Sequence, residues 1–339
     1  MNLMLTNYCN STACPYCFGQ EEMHSKAATN ISLENFKKYL IWLKNEECHE
    51  VRLLGGEPTL HPQLEEIIDM VIDFDYFNEI LFFSNLIFDH RIAELFVEKN
   101  KKIRISILPN INELSLLLPN ARKKVEDNLD YLSTNLPFFD RIGVNIYKPD
   151  QDLSKWEKLI CKYNMASVRF NIVVPNVKLE EEFNFYQYFH SFQPLLKEIA
   201  EWGEKYKVYA TNDCNPIPLC CFDDDLIKYI LAINPSFFGS FYCNGSVLDV
   251  NPDLEVRCCF GENSLPHVNL LDYKNEWELS EYFKTLTKYK KQHYVAWEKC
   301  VDCPKRKTLG QSCACSAYLL HYKRNLNEEK DKKEIILNG

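Results

Sequence analysis

The sequence predicts an α/β chain, a parallel sheet wrapped by helices, followed by a smaller loop-rich and cysteine-rich region. Three observations carry this. Six short apolar runs alternate with amphipathic segments, each unit filling about 30 residues, the size of a strand–helix–strand crossover. Past residue 210 helical periodicity fades and turn signals multiply, as in Asn215-Pro216, Asn244-Gly245 and Asn251-Pro252-Asp253. Ten of the 15 cysteines fall in that later stretch, from Cys214 to Cys315.

The elements follow in order. Strand one is the apolar run Leu3–Leu5. Ser32 is placed to cap a helix whose Leu33, Phe36, Leu40, Trp42 and Leu43 share one broad face. Strand two is Glu50–Leu54, and Pro62 opens a helix that runs to Phe74. Strand three is Glu79–Phe83, with a helix over Asp89–Lys99. Strand four is Lys102–Leu108, where Arg104 and Ser106 alternate with Ile103, Ile105 and Ile107. A helix over Asn120–Thr134 leads to strand five, Arg141–Tyr147. A helix over Lys155–Tyr163 leads to strand six, Ser167–Val174. The acidic and aromatic stretch Glu180–Phe192 reads as an amphipathic helix whose aromatics pack in the core.

Composition narrows the function. The chain has 339 residues and a net charge of −9, which argues against a nucleic-acid partner, since that needs a basic footprint. No stretch of 18 uninterrupted apolar residues argues for a membrane span, and the start Met-Asn-Leu-Met-Leu lacks the basic and apolar regions of a signal peptide. The expected location is the cytoplasm, where thiols stay reduced and cysteines read as metal ligands rather than disulfides. Cys48 and Cys161, each on a helix, read as core residues.

The densest chemistry follows strand one: Cys9, Cys14 and Cys17 within nine residues. Three thiolates at one strand end are an incomplete set, because a four-iron cluster and a structural zinc site each take four ligands. Either a distant residue completes a zinc site, or a cubane keeps one iron open. Strand two ends in Gly55-Gly56-Glu57-Pro58, glycines that permit close backbone approach and a carboxylate suited to an ammonium group. Parallel α/β sheets bind ligands at the carboxyl ends of their strands, where both motifs lie.

This pairing resembles the radical S-adenosylmethionine (radical SAM) superfamily. The resemblance implies a partial (β/α)6 TIM-like barrel over residues 1–205, open on one side to a large substrate. Cys9, Cys14 and Cys17 would bind a [4Fe-4S] cluster, and Gly55, Gly56 and Glu57 the amino group of S-adenosyl-L-methionine. The spacing departs from the commonest family pattern by one extra residue between Cys9 and Cys14. Tyr16 stands where the family contacts the adenine. Ser84, Asn85, Ser106, Asn145 and Arg169 stand at strands whose polar groups touch the ribose and carboxylate of SAM, with Arg169 suited to a bidentate hold on the carboxylate. Asn171, beside it on strand six, is a further polar candidate. His61 reads as a base or, more commonly, a packing group.

The later cysteines resemble the SPASM or twitch extension of that superfamily, which the resemblance places at residues 206–325, ahead of a charged tail at 326–339. Cys243, Cys258 and Cys259 fit its hairpin, although Leu254 stands where the family has glycine, so a different turn is expected. Cys300, Cys303, Cys313 and Cys315 fit its later half, but the usual final cysteine is missing. Cys214 or Cys220 is expected to substitute. One or two auxiliary [4Fe-4S] clusters follow, against an alternative of structural zinc. Of the adjacent pairs Cys220/Cys221 and Cys258/Cys259, one member each reads as spare, so Cys221 and Cys258 are candidate catalytic thiols, with a buried inert thiol as the commoner outcome.

The activity implied is hydrogen abstraction by a 5′-deoxyadenosyl radical, most commonly for tailoring a ribosomally made peptide by crosslinking, thioether formation or epimerisation. The implied partners are a peptide or protein substrate, a one-electron donor such as flavodoxin or ferredoxin, and a separate leader-peptide-binding protein if the chain does not bind its peptide directly. The alternatives are an anaerobic sulfatase-maturing (formylglycine-generating) enzyme, or a non-catalytic iron–sulfur or zinc protein.

Overall fold

A computed structural model describes residues 1–11, 14, 16–17, 23, 29–111, 114–173, 184–213, 216–239, 243, 245, 247–259, 262, 265–311, 313 and 315. Cys214 and the tail at 326–339 lie outside them. The chain divides into two compact units. One comprises Met1–Gly143, Val247–Arg257 and His267–Leu279; the other comprises Val144–Ser246, Cys258–Pro266 and Ser280–Gly339.

The fold is mixed α/β with a parallel-rich sheet. In the first unit the strands are β1 (Asn2–Met4), β2 (Glu50–Leu54), β3 (Glu79–Ser84) and β4 (Arg104–Pro109), with α1 (Leu33–Asn45), α2 (Leu64–Asp73), α3 (His90–Lys99) and α4 (Pro119–Asn135) between or after them. All four strands are parallel, in sheet order β1-β2-β3-β4, with Leu3 opposite Leu53, Leu53 opposite Phe82 and Phe82 opposite Ile107. These residues are almost wholly buried, as expected for a parallel sheet covered by helices. Ser32 caps α1 by accepting the Asn35 N–H at 3.1 Å, a bond of the kind that contributes about 1 kcal/mol. The helix expected to open at Pro62 begins instead at Leu64, because the His61 ring accepts the Gln63 N–H at 3.1 Å and holds the preceding turn outside the helix.

The second unit carries most of a three-stranded sheet of β5 (Arg141–Ile146), β6 (Ser167–Ile172) and β7 (Tyr209–Asn212). Its helices include α5 (Ser154–Tyr163), α6 (Phe185–His190), α7 (Gln193–Tyr206) and α8 (Asp224–Ile233). Of the stretch read as one helix over Glu180–Phe192, residues 180–183 lie outside the described residues and the rest holds α6, ended at Ser191 and followed by α7; Phe185, Phe189 and Phe192 are buried.

Two features depart from the expected organisation. β7 pairs in parallel with β6, Val168 opposite Ala210, so the strand–helix alternation runs past residue 205. Residues 247–257 and 267–269 belong to the first unit, with the first strands. β8 (Asp249–Val250) pairs in parallel with β1, and β9 (Glu255–Arg257) and β10 (Val268–Asn269) continue the sheet antiparallel. The reason is geometric: β1 has a second edge, and an exposed edge is covered by whatever strand reaches it. Strands of two or three residues carry no readable period. The β8–β9 turn also differs from expectation. Leu254 adopts the left-handed backbone that glycine normally supplies, with φ 64°, while its side chain is buried and the Asn251 side chain accepts the Asp253 and Glu255 N–H groups. The turn geometry is therefore kept without the glycine. No helix among the described residues is long and apolar enough to cross a membrane. The chain ends its described part with α9 (Glu276–His293) and α10 (Pro304–Leu309).

Candidate active site

The cysteine loop leaves β1 and is tied to β2 through the backbone. Gly56 N–H donates to the Thr6 carbonyl and Glu57 N–H to the Tyr8 carbonyl, both at 2.8 Å. This is why both glycines are needed. A Cβ on Gly55 would lie 2.5 Å from the Thr6 carbonyl oxygen, and one on Gly56 would lie 2.1 Å from the Tyr8 carbonyl oxygen and 2.7 Å from the Cys9 nitrogen. The glycines thus admit the backbone of the cysteine loop itself. The far side of the loop is fixed by Cys9 N–H donating to the Met23 carbonyl at 3.1 Å and by Asn7, whose side chain accepts the Thr29 N–H at 2.7 Å.

Donors gather on the sulfurs. Ser11 N–H lies 3.4 Å from Cys9 Sγ, the Asn85 side-chain amide 3.7 Å from the same sulfur, and the Ser11 hydroxyl 3.4 Å from Cys14 Sγ. Cys17 Sγ is 3.7 Å from the sulfur of Met23. Burial pushes the Cys9 thiol up to about 12; the Ser11 N–H opposes this, while negative charge on Glu57, Cys14 and Cys17 adds to it. A buried thiol held from ionising by its surroundings belongs to a site that favours a cationic group, which would reverse the balance and stabilise the Cys9 thiolate. Among the described residues no three His, Cys, Asp or Glu side chains are close enough to hold a single metal ion. Three cysteine thiols are a donor set of the kind a cubane takes, each binding a separate iron.

Glu57 is fully buried. Its Oε1 accepts from the Thr59 hydroxyl at 2.6 Å, the Ser84 hydroxyl at 2.8 Å and the Thr59 N–H at 3.2 Å, and its Oε2 accepts from the Asn85 N–H at 2.8 Å. Burial raises its pKa above the ordinary carboxylate value, against the pull of these donors. Asn85 joins the two halves, reaching Glu57 through its backbone and Cys9 and Asn10 through its side chain. Cys9, Gly55, Gly56, Glu57, Ser84 and Asn85 therefore form one connected network. Thr59, Asn10 and Ser11 belong to it and were not singled out from sequence. Thr59 had a signal: Glu57-Pro58 is an acidic cap followed by proline at the first position of a turn, a pattern that aims the carboxylate at the N–H two residues on.

Other expected residues are placed differently. Ser106 is buried on β4, and its hydroxyl has no hydrogen-bond partner among the described residues. His61 is buried, with Nε2 donating to the Ile31 carbonyl at 2.9 Å and Nδ1 accepting from Gln63; burial lowers its pKa, which keeps it neutral and structural. Tyr16 is half-buried. In the second unit, the Asn145 carbonyl accepts from Gln151 at 2.9 Å. Arg169, expected to hold a ligand carboxylate, pairs with Asp213. Asn171 on β6 has a buried amide oxygen without a hydrogen-bond partner among the described residues.

Residues 3–164 match the Radical SAM superfamily. This segment is a radical SAM domain. It contains the whole network around Cys9 and Glu57. Solved structures of Streptococcus suis SuiB resemble the chain. SuiB bound to S-adenosylmethionine gives a TM-score of 0.60 at 12% identity, covering 89% of this chain and 69% of that one. SuiB bound to its precursor peptide SuiA gives 0.59 at 12% identity, covering 89% and 68%. SuiB alone gives 0.58 at 13% identity, covering 90% and 70%. At this identity the likeness is one of fold. No curated protein matches the chain.

The cysteines outside the radical SAM domain all lie in the second unit. Cys221 and Cys258 are buried, at 0% and 2% exposure. Cys258 Sγ lies 3.6 Å from the Thr287 hydroxyl, and Cys221 is hydrogen-bonded to Cys220. An atom-transfer thiol must reach its substrate, so the expectation of a spare catalytic thiol at either position is replaced by two packed ones. Cys220 is exposed; Cys243, Cys259, Cys300, Cys303 and Cys313 are half-buried, and Cys315 is buried.

Proposed function

We propose that this radical SAM enzyme tailors a peptide substrate, and that Cys9, Cys14 and Cys17 hold its [4Fe-4S] cluster while Glu57 and the Gly55-Gly56 backbone hold the amino group of SAM. The observation that carries the reading is Asn85, which bonds Glu57 with its backbone and the Cys9 sulfur with its side chain. A carboxylate meant for the amino group is thereby fixed relative to the thiols meant for the iron. When bound, the cluster and SAM supply a 5′-deoxyadenosyl radical that removes hydrogen from an unactivated carbon. The protein's part is orientation. Thr59, Ser84 and Asn85 hold the carboxylate in one rotamer, and Oε2, with one donor among the described residues, keeps a lone pair for an ammonium group. Burial of Glu57 excludes water, which strengthens a charge pair formed there.

The peptide substrate rests on the likeness to SuiB, one of whose structures holds a precursor peptide. The proposal extends to auxiliary clusters held by the later cysteines of the second unit, supplied with electrons by a small redox protein. The test is anaerobic incubation of the reduced protein with SAM, reading 5′-deoxyadenosine by mass spectrometry with and without candidate precursor peptides. Glu57→Gln keeps the shape but loses the charge; it should weaken SAM binding by about 1.5–3 kcal/mol, at least tenfold in Kd, with iron content unchanged. Absence of 5′-deoxyadenosine from iron-loaded protein would refute the enzyme reading, and unaltered SAM affinity in Glu57→Gln would refute the role of Glu57.

A further inference from the structure

The three strands of the second sheet end in a row of polar side chains. β6 and β7 are parallel, with Arg169 opposite Thr211 and Phe170 opposite Asn212, and Asp213 N–H donates to the Phe170 carbonyl at 2.8 Å. β5 and β6 are neighbours joined through α5, the kind of crossover that parallel strands require. Between them Val173 N–H donates to the Ile146 carbonyl at 2.9 Å. By the same bonding pattern Ile146 stands opposite Ile172, and Asn145 opposite Asn171. One step beyond Phe170 and Asn212, Asn171 stands opposite Asp213. Asn145, Asn171 and Asp213 therefore lie at one level, one from each strand, at the carboxyl ends where parallel sheets bind ligands. Side chains alternate along a strand, so all three share a face with Arg169. The opposite face is core: Val168, Phe170 and Ile172 are wholly buried, and the Phe170 and Phe237 rings lie 4.6 Å apart between centroids.

The row has hydrogen-bonding capacity that the fold leaves unused. The Asn171 side-chain oxygen is buried with no partner among the described residues, and a buried acceptor without a donor is costly. At Asn145 only the backbone is committed. Its carbonyl accepts from Gln151 Nε2 at 2.9 Å, and Gln151 Oε1 accepts the Tyr147 N–H at 3.0 Å. That clamp fixes the end of β5, while the Asn145 carboxamide bonds none of the described residues. Asp213 gives Oδ1 to the Arg169 guanidinium, and its Oδ2 accepts from none of the described residues. The ion pair holds the carboxylate still and cancels its charge. The row thus suits a neutral ligand that carries both donors and acceptors.

We propose that Asn145, Asn171 and Asp213 bind the main chain of an extended peptide laid across these strand ends. A carboxamide presents an acceptor oxygen and a donor NH2, the complement of the N–H and C=O of one peptide unit. Neighbouring strands lie about 4.8 Å apart and an extended chain advances about 3.3 Å per residue, so the row from β5 to β7 spans about three residues. Contacts to the main chain leave side-chain identity unread, so these residues position a peptide rather than select its sequence. This rests on the reading of the chain as a peptide-tailoring enzyme, and it moves Asn145 from the expected cofactor contacts to the substrate.

The experiment uses the full-length chain, reconstituted anaerobically with iron and sulfide. The probe is acetyl-pentaalanine N-methylamide, whose only polar groups are peptide units, compared with its fully backbone-N-methylated analogue. Affinities are read by saturation-transfer NMR, and SAM affinity and cleavage are measured on the same samples. Wild type should bind the unmethylated peptide at least about threefold more tightly, the worth of one hydrogen bond. Asn171→Ala and Asn145→Ala should each erase much of that preference, with SAM affinity unaltered. No preference in wild type, or one that survives both variants undiminished, would overturn the assignment. A matching loss of SAM affinity in Asn171→Ala would overturn it too, by placing the row against the cofactor. A wild type that forms no 5′-deoxyadenosine would instead defeat the enzyme reading beneath it and leave the peptide comparison readable. That comparison needs no variant, so the proposal can be refuted even if Asn171→Ala fails to fold.

Discussion

Gly56→Ala is the sharpest probe of the candidate site, because its effect follows from backbone positions alone. The added Cβ would sit 2.1 Å from the Tyr8 carbonyl oxygen, 2.2 Å from the Tyr8 carbonyl carbon and 2.7 Å from the Cys9 nitrogen. Contacts under 3.0 Å do not persist, so the Tyr8–Cys9 peptide must retreat by about 1 Å, and none of these atoms is the mobile end of a side chain. The retreat breaks the Glu57 N–H to Tyr8 bond of 2.8 Å and carries Cys9 away from Asn85 and Ser11. Overpacking of this kind costs about 1–3 kcal/mol, and the displaced sulfur weakens the site further. Gly203 is the control. It lies inside α7, where a Cβ meets nothing nearer than 3.5 Å, and alanine there should stabilise by about 0.5–1 kcal/mol through helix propensity. The assay is thermal unfolding of the unloaded protein, with iron content measured after anaerobic reconstitution of the full chain. Gly56→Ala should lower both and Gly203→Ala neither. Full iron and unaltered melting in Gly56→Ala would show that the cysteine loop and the β2 turn are not packed as described.

Other consequences can be checked in the same way. The lowered pKa of His61 means that the folded chain binds fewer protons than the unfolded chain below the ordinary value of 6.5. Its contribution is therefore present above pH 6.5 and lost as pH falls through the folded-state value; chemical unfolding from pH 7.5 to 5 should show a shallower loss in His61→Gln, and an identical slope would contradict the buried neutral imidazole. Leu254→Gly relieves a left-handed residue, worth about 1–2 kcal/mol, but removes a buried leucine worth about 2–5 kcal/mol, so melting should fall, and a rise would mean that strain dominates. Lys290 and Glu262, both buried, form a two-pronged ion pair at 2.8 and 2.7 Å; Lys290→Met alone should cost about 3–5 kcal/mol, and Lys290→Met with Glu262→Leu should recover most of it. Equal melting of the single and double variants would show that the pair does not stabilise the fold as a unit.

Much of the fold was legible because its signals are local. The six strands fall within two residues of their expected limits, since each is a run of apolar residues bounded by turn formers, and Ser32 caps α1 as its position before Leu33 implies. The radical SAM domain was legible for a different reason: three cysteines and a Gly-Gly-Glu turn require specific residue types at fixed spacing. Residues that act through distant partners were harder to read. Nothing near Asn85 in sequence announces that it bonds both Glu57 and Cys9, and Arg169 gives no local sign that Asp213 engages it.

By itself, then, the sequence determined the strand–helix alternation, the thiol loop and the acidic turn, because backbone propensity and ligand chemistry act over a few residues. Only the tertiary structure decided that β8 closes the free edge of β1, that Gly56 makes room for the chain's own backbone, and that Asp213 engages Arg169. Each of these depends on which segments, tens or hundreds of residues apart, come to share one edge or one cavity. Sheet pairing and burial decide that, and neither leaves a period in the sequence.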